Sequence, residues 1–402
     1  MRDMWNFIVG NTWLAALLSY ITVTTLILIL GPLGMMLFTW IERRGIAYMQ
    51  NRRGPNRVGP FGLFQPISEA IKTMTKEDIT PTGADRWVHF LAPVLMMTSV
   101  ILIFAVIPLG GFYPSDINVG ILWVMAVASL HPVGALMAGW GSNNKFALLG
   151  GMRAAAQLIS YEIPQVMSVV VIVMWVGSMS VREVINHQSA YLGMGWHIFT
   201  PIGLLAFIIF WIASLAEGER TPFDIPEAES EIVAGVMTEY TGMKFAIFYL
   251  ANYMGNLAIC AVTAGIFLGG GHGPGTTLGI PVISALLAVI YFLIKVFGLF
   301  LFMVFIRATL PRLRVDQMMS FAWKFLLPLA LVNIFSTGIW IAITRWGSAQ
   351  GVGWLEGVDY PIRLAIAVAV TLVINGGMFA AVLGLYRGKA EDTNYAVSPA
   401  SA

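Results

Sequence analysis

The sequence predicts an all-α integral membrane protein: a polytopic bundle of about nine transmembrane helices with one interfacial amphipathic helix. Three observations lead there. Of 402 residues, 58% are apolar and only 11% charged, whereas a soluble domain carries roughly a quarter charged residues. The apolar residues fall into runs of the length, about 20 residues, that crosses about 30 Å of hydrocarbon. The basic residues gather in alternate connecting loops, as the positive-inside rule requires.

The runs, in order, are 14–40, 88–110, 119–140, 155–177, 199–216, 245–269, 279–306, 325–344 and 364–386. They form one transmembrane domain, 1–386, with no repeat period and no inverted halves. The N-terminus lacks a cationic segment followed by a small-residue cleavage site, so the first run is expected to remain as a span. Between the first two runs, 61–77 sets Phe64, Ile67, Ile71 and Met74 at helical spacing, with Glu69, Lys72 and Lys76 on the other face. That pattern predicts a helix lying in the membrane interface; a soluble helix packed on a partner is the alternative. Residues 387–402 form a short polar tail, expected to lack regular structure.

Orientation follows from lysine and arginine. Loops 41–87, 141–153, 217–244 and 307–324 together with the tail hold 18 of them. The opposite side holds four, Arg2, Arg182, Arg345 and Arg363. The N-terminus is therefore expected outside and the C-terminus in the cytoplasm.

Composition also excludes chemistry. The single cysteine, Cys260, rules out an internal disulfide and an iron–sulfur cluster held by this chain. The five histidines form no i, i+4 pair, so haem or metal ligation is not expected. No GxxxxGK[ST] or GxGxxG occurs, and no nucleic-acid partner is expected. Gly150 with Gly151, and the run Gly269 to Gly271, read as loop glycines.

The strongest local signal is EGERTPFDIPEAESEIVAGVMTE (217–239). It holds Glu217, Glu219, Asp224, Glu227, Glu229, Glu231 and Glu239 against Arg220 alone. Crowded carboxylates raise one another's pKa, so some are expected to be protonated near neutral pH and able to exchange protons. Helix capping by Asp224-Ile-Pro226-Glu227 accounts for two of the seven. Three further ionisable groups lie in or beside apolar spans: Glu162, Lys295 and, at the end of the first, Glu42. A central charge costs roughly 2.5–3.5 kcal/mol by insertion scales, so such groups usually face a polar interior. Glu42 could equally sit among headgroups. Basic clusters Glu42-Arg43-Arg44, NRRGPNR (51–57) and RATLPRLRVD (307–316) share one side, the first two embedded near Gly-Pro turns that fix backbone shape.

Four stretches carry a resemblance: WIERRGIAYMQNRRGPNRVGPFGLFQPISEAIKTMTKED (40–78), GWGSNNKFALLGGMRAAAQLISYEIP (139–164), AEGERTPFDIPEAESEIVAGVMTEYTGMKFAIFYLANY (216–253) and IRATLPRLRVDQMM (306–319). The chain resembles the membrane H subunit, or subunit 1, family of proton-translocating NADH:quinone oxidoreductase, respiratory complex I. The resemblance implies about eight spans and no prosthetic group of the chain's own. It implies a tunnel that admits a quinone (ubiquinone or menaquinone) from the lipid as substrate. It implies Glu42, Arg43, Arg52, Arg220, Asp224, Arg307 and Arg312 as tunnel charges. Glu162, Glu217, Glu227, Glu229, Glu231 and Glu239 are implied as proton-path acids, and Lys295 matches an intramembrane lysine of the family, placed with that path. Implied partners are the iron–sulfur and quinone-site subunits of a peripheral arm, and small and antiporter-like subunits of a membrane arm, in a bacterial inner or plasma membrane. The ninth span, 364–386, exceeds the usual number. A membrane hydrogenase relative is the nearest alternative; a stand-alone transporter would need inverted repeats.

Overall fold

In hydrocarbon, backbone N–H and C=O groups must find partners within their own segment, and long apolar runs therefore become helices. The computed structural model describes residues 12–110, 113–226, 232–276, 281–344 and 359–395, and among them it contains helices and turns but no strand. The principal helices are α1 (Thr12–Met49), α2 (Gln65–Thr75) and α3 (Arg86–Phe104). Next come α4 (Gly120–Gly141), α5 (Lys145–Val176), α6 (Val181–His187) and α7 (Pro201–Glu217). The chain ends with α8 (Gly242–Phe267), α9 (Pro281–Thr309), α10 (Val315–Thr344) and α11 (Tyr360–Tyr395).

Seven of these, α3, α4, α5, α8, α9, α10 and α11, contain segments long and apolar enough to cross a membrane, and α7 is a shorter apolar helix. This is a polytopic α-helical membrane protein. At 38 residues, α1 is about 57 Å long at 1.5 Å per residue. That exceeds the hydrocarbon thickness of about 30 Å.

Caps explain several boundaries. Asp85 accepts from the backbone N–H groups of Trp87 and Val88 at the start of α3. Asn144 accepts from Phe146 N–H, starting α5 ten residues ahead of the apolar run. Gly150 and Gly151 are consequently helical, not loop, residues. A Cβ on Gly150 would stand 2.7 Å from Gly235 Cα, and one on Gly151 3.2 Å from Gly139 Cα; they let α5 approach its neighbours closely. α10 contains a π-helical turn over Ala322–Leu326.

α11 runs on to Tyr395, into the stretch expected to lack structure. No proline interrupts 387–395, and Lys389, Ala390 and Glu391 are good helix formers. A polar seam ties α11 to the bundle: Asn375 donates to Asn333 Oδ1 (3.3 Å), and Asn333 donates to the Ile202 carbonyl (3.1 Å). At the centre, Ile202, Ala206, Ile209, Ala213 and Ala216 of α7 are fully buried.

Candidate functional site

The end of α1 brings Glu42 to the inner surface of the bundle, where its side chain is 2% exposed. At the end of α7, Glu219 takes a left-handed φ of 50°. The turn sends Arg220 back toward α1, and its guanidinium donates to Glu42 Oε1 at 2.6 Å. Arg307, in the last turn of α9, donates to the same oxygen. One carboxylate thus collects guanidinium groups from positions 178 and 265 residues away. Glu42 Oε2 is buried and takes no hydrogen bond among the described residues. Arg220 also lies 4.3 Å from the centre of the Tyr253 ring of α8, whose hydroxyl accepts from Tyr249 at 3.1 Å. Burial pulls the Arg220 guanidinium toward neutrality, but the Glu42 carboxylate and Tyr253 outweigh it and hold the charge above the ordinary arginine range.

Around this centre lie two peripheral pairs. Arg43 points outward and binds Glu69 of α2, which also accepts from Gln65 at 3.2 Å. Burial raises the Glu69 carboxyl pKa, yet the bonds from Arg43 and Gln65 win and leave it below its usual value. Arg312 donates to the Asp224 backbone carbonyl and lies 3.4 Å from its carboxylate. The nearby Leu313 N–H donates to Pro222 O at 3.0 Å, fastening the segment after α9 to the turn after α7. Arg52 is exposed and donates to Gln50 at 2.7 Å, away from the Glu42 centre.

The acids form a second group. Glu217, half-buried at the end of α7, accepts from Gln165 of α5 at 2.5 Å. Glu162 is one turn earlier on α5 and also half-buried. A cavity of about 50 Å³ opens beside Glu217, lined among others by Ser99, His131, Gln165, Asn252 and Asn256; it has room for a short file of water molecules. Asn252 also donates to Glu219 at 3.3 Å, which places the cavity next to the turn that carries Arg220. Glu239 accepts from Asn144 at 2.5 Å. Glu227, Glu229 and Glu231 lie outside the described residues, and the capping arrangement expected for Asp224 and Glu227 falls there with them. Lys295 is not among the acids. It lies in the middle of α9 and donates to backbone carbonyls.

The sequence reading missed the uncharged amides. Gln157 donates to the carbonyls of Ala216 and Phe223, both at 2.7 Å, clamping the two sides of the α7 turn. Gln165, Asn252 and Asn256 line the cavity. A scan for amide side chains inside apolar runs would have found all four.

The NADH dehydrogenase family matches residues 21–338 of the chain. The H subunit of NADH-quinone oxidoreductase from Dehalococcoides mccartyi (strain ATCC BAA-2266 / KCTC 15142 / 195) is 46% identical over 84% of this chain and 88% of its own. The chain belongs to the H-subunit family of NADH-quinone oxidoreductase. An H subunit of the Geobacter metallireducens enzyme is 44% identical over 76% of the chain and 90% of its own length. One from Koribacter versatilis is 38% identical over 83% and 99%. The family match covers α2 to α9 and much of α1 and α10, and ends before α11. The Glu42 centre, the Arg312–Asp224 pair and the cavity all lie within it.

Proposed function

We propose that this chain is the membrane subunit of an NADH-quinone oxidoreductase that guides a quinone to its site of reduction and couples that reduction to proton movement. The observation that carries the reading is Glu42: a carboxylate 2% exposed, bound by Arg220 and Arg307 through one oxygen. Such a centre can respond to a change of charge or protonation beside it. Oε2 is the acceptor available to a quinol hydroxyl or a proton. Arg43, held by Glu69 on the amphipathic helix α2, and Arg312, held by Asp224, shape the approach on the membrane side and the flank. Arg52 belongs to the same basic loop.

Proton movement would follow the acids. A disturbance at Arg220 reaches Glu219 in the adjoining position, then Asn252 and the cavity where Glu217 sits. Glu162 lies one turn from Gln165, the residue that binds Glu217. Glu239 and the acids at 227, 229 and 231 complete the set on the same loop. The chain supplies positions and titratable groups. Electrons come from iron–sulfur subunits of a peripheral arm, and protons pass on to small and antiporter-like membrane subunits. The N-terminus faces outside and the C-terminus the cytoplasm of a bacterial cell membrane. Identities of 38–46% to NADH-quinone relatives favour this over a hydrogenase relative.

The test is Arg307→Ala in the assembled complex. Quinone reduction is expected to fall at least tenfold while electron transfer from NADH to an artificial acceptor in the peripheral arm survives. Equal loss of both activities, with the complex intact, would remove the quinone role.

A further inference from the structure

The glycine run 269–271 and Lys295 account for each other, and neither belongs to the charge centre. Lys295 Nζ, half-buried in the middle of α9, donates to the carbonyls of Leu268 (2.6 Å), Gly270 (2.9 Å) and His272 (2.6 Å). It also lies 4.5 Å from the centre of the Trp196 ring. An ammonium has three donors, and all three are used. The cage is built by glycine. Gly269 and Gly270 adopt left-handed φ of 71° and 53°, in a loop that turns the alternate carbonyls of 268, 270 and 272 toward one point. A Cβ on Gly271 would stand 2.8 Å from Ala288 O of α9. The loop is therefore pressed against α9 as well as hydrogen-bonded to it.

The same helix end has other donors. Gln188 donates to the carbonyls of Gly265 (3.1 Å) and Ile266 (3.0 Å), and His197 Nδ1 lies 2.8 Å from Ile266 O. Three elements thus satisfy the orphan carbonyls of the α8 C-terminus, and Lys295 adds the cation that end favours. Lys295 joins two helices that both lead to the Glu42 centre: the middle of α8 presents Tyr253 beneath Arg220, and the last turn of α9 presents Arg307 to Glu42. Tyr253 is about 22 Å from Leu268 along α8, and Arg307 about 18 Å from Lys295 along α9, at 1.5 Å per residue. A one-residue slip between the helices would displace Tyr253 by about 1.5 Å relative to Arg307. That breaks a hydrogen bond whose useful range is a few tenths of an ångström.

We propose that Lys295 and the 268–272 loop form a fixed-cation clasp that sets the register of α8 against α9. Lys295 is then a positioning residue for the Glu42 centre and not a member of the proton path. The proposal rests on the reading of that centre as the quinone's charged site.

The experiment compares Lys295→Met, Lys295→Arg and Gly270→Ala in the assembled complex in sealed inside-out vesicles. It measures turnover with a short-chain quinone, its KM, and protons moved per quinone reduced. The clasp predicts that Lys295→Met and Gly270→Ala each lower turnover about tenfold or more, since misplacement of about 1 Å can cost that much. The protons moved per remaining turnover stay unchanged. Lys295→Arg, which keeps charge and donors but cannot release a proton, is expected to restore at least half the turnover with full pumping. Loss of pumping in Lys295→Arg, or wild-type turnover in Gly270→Ala, would overturn the clasp. Should Lys295→Met fail to assemble, the other two variants decide. Wild-type behaviour of Glu42→Gln beside impaired Lys295→Met and Gly270→Ala would discard the quinone reading of the centre while leaving the clasp standing.

Discussion

Replacing Glu42 by Gln keeps the shape of the side chain and removes its charge. In the native centre one carboxylate oxygen holds Arg220 at 2.6 Å and Arg307 as well. Two guanidinium groups sharing one oxygen are separated by about 5 Å. Without the intervening charge they repel by about 3 kcal/mol at an effective dielectric constant of 20. Each charge-assisted bond also weakens to a neutral one, at about 1 kcal/mol apiece. The total, about 4–5 kcal/mol, is within the range for breaking a buried ion pair. It corresponds to about a thousandfold or more in the population of the correctly formed centre. Glu42→Gln is therefore expected to reduce quinone-dependent turnover per assembled complex by more than tenfold. The double variant Glu42→Gln/Arg220→Gln removes the repulsion and is expected to regain part of the loss in assembly and thermal stability. A double-mutant cycle on the amount of assembled complex and its inactivation temperature measures the coupling. Additive losses, or an inert Glu42→Gln, would refute the account of Glu42 as the neutralising hub of two buried cations.

Other outcomes follow from single contacts. Arg43 and Glu69 are 37% and 39% exposed, so Arg43→Ser is expected to cost under about 1 kcal/mol of stability, and the charge swap Arg43→Glu/Glu69→Arg should recover it in thermal inactivation. Gly150→Val must fit a branched side chain where a Cβ already stands 2.7 Å from Gly235 Cα; a loss of about 1–3 kcal/mol or more is expected, read as lower assembly at raised temperature. Burial holds the His197 imidazole down at about 4, against its hydrogen bond to Ile266 and with the help of neighbouring His187. The opened state protonates near the ordinary 6.5, so opening of the α8 end becomes easier as pH falls from about 6.5 to about 4. Amide protection factors at 266–268, with the exchange rate at each pH referred to the intrinsic rate at that pH, should fall over that window in the wild type and not in His197→Asn.

What the sequence disclosed was mostly what physics makes local. Apolar length reveals helices because lipid leaves the backbone no other partner, and Glu42, Glu162 and Lys295 stood out because charges in apolar surroundings are costly. Partner choice was hidden. Nothing in Glu42-Arg43-Arg44 tells which neighbour binds which acid: the adjacent Arg43 turns away to Glu69, while Glu42 takes Arg220 and Arg307 from far along the chain. The helix phase decides, since successive residues on α1 face about 100° apart. Gly269 to Gly271 looked like any flexible loop, because left-handed φ is equally available to a linker and to a carbonyl cage. Only the position of Lys295 on another helix distinguishes them. The amides Gln157 and Gln165 were overlooked because a neutral side chain barely lowers the hydropathy of its run, even when it makes two hydrogen bonds there.

The Glu42 centre carries one negative and two positive charges, and that surplus needs a reason. A fully balanced pair would be cheaper to bury. Arg307 keeps 33% of its side chain exposed, and Arg220 rests on the electron-rich Tyr253 face, which together make the excess tolerable. Under the proposed function the surplus has a use. Reduction of a quinone places negative charge on its oxygens, and preorganised cations nearby stabilise that charge without rearranging. Once the oxygens are protonated that attraction would fade, leaving Glu42 as the partner of both guanidinium groups. The centre would then alternate between two partners for the same cations. Under the same proposal, the turn at Glu219, bonded to Asn252 at the cavity of Glu217, would be the structural element through which that alternation reaches the acids.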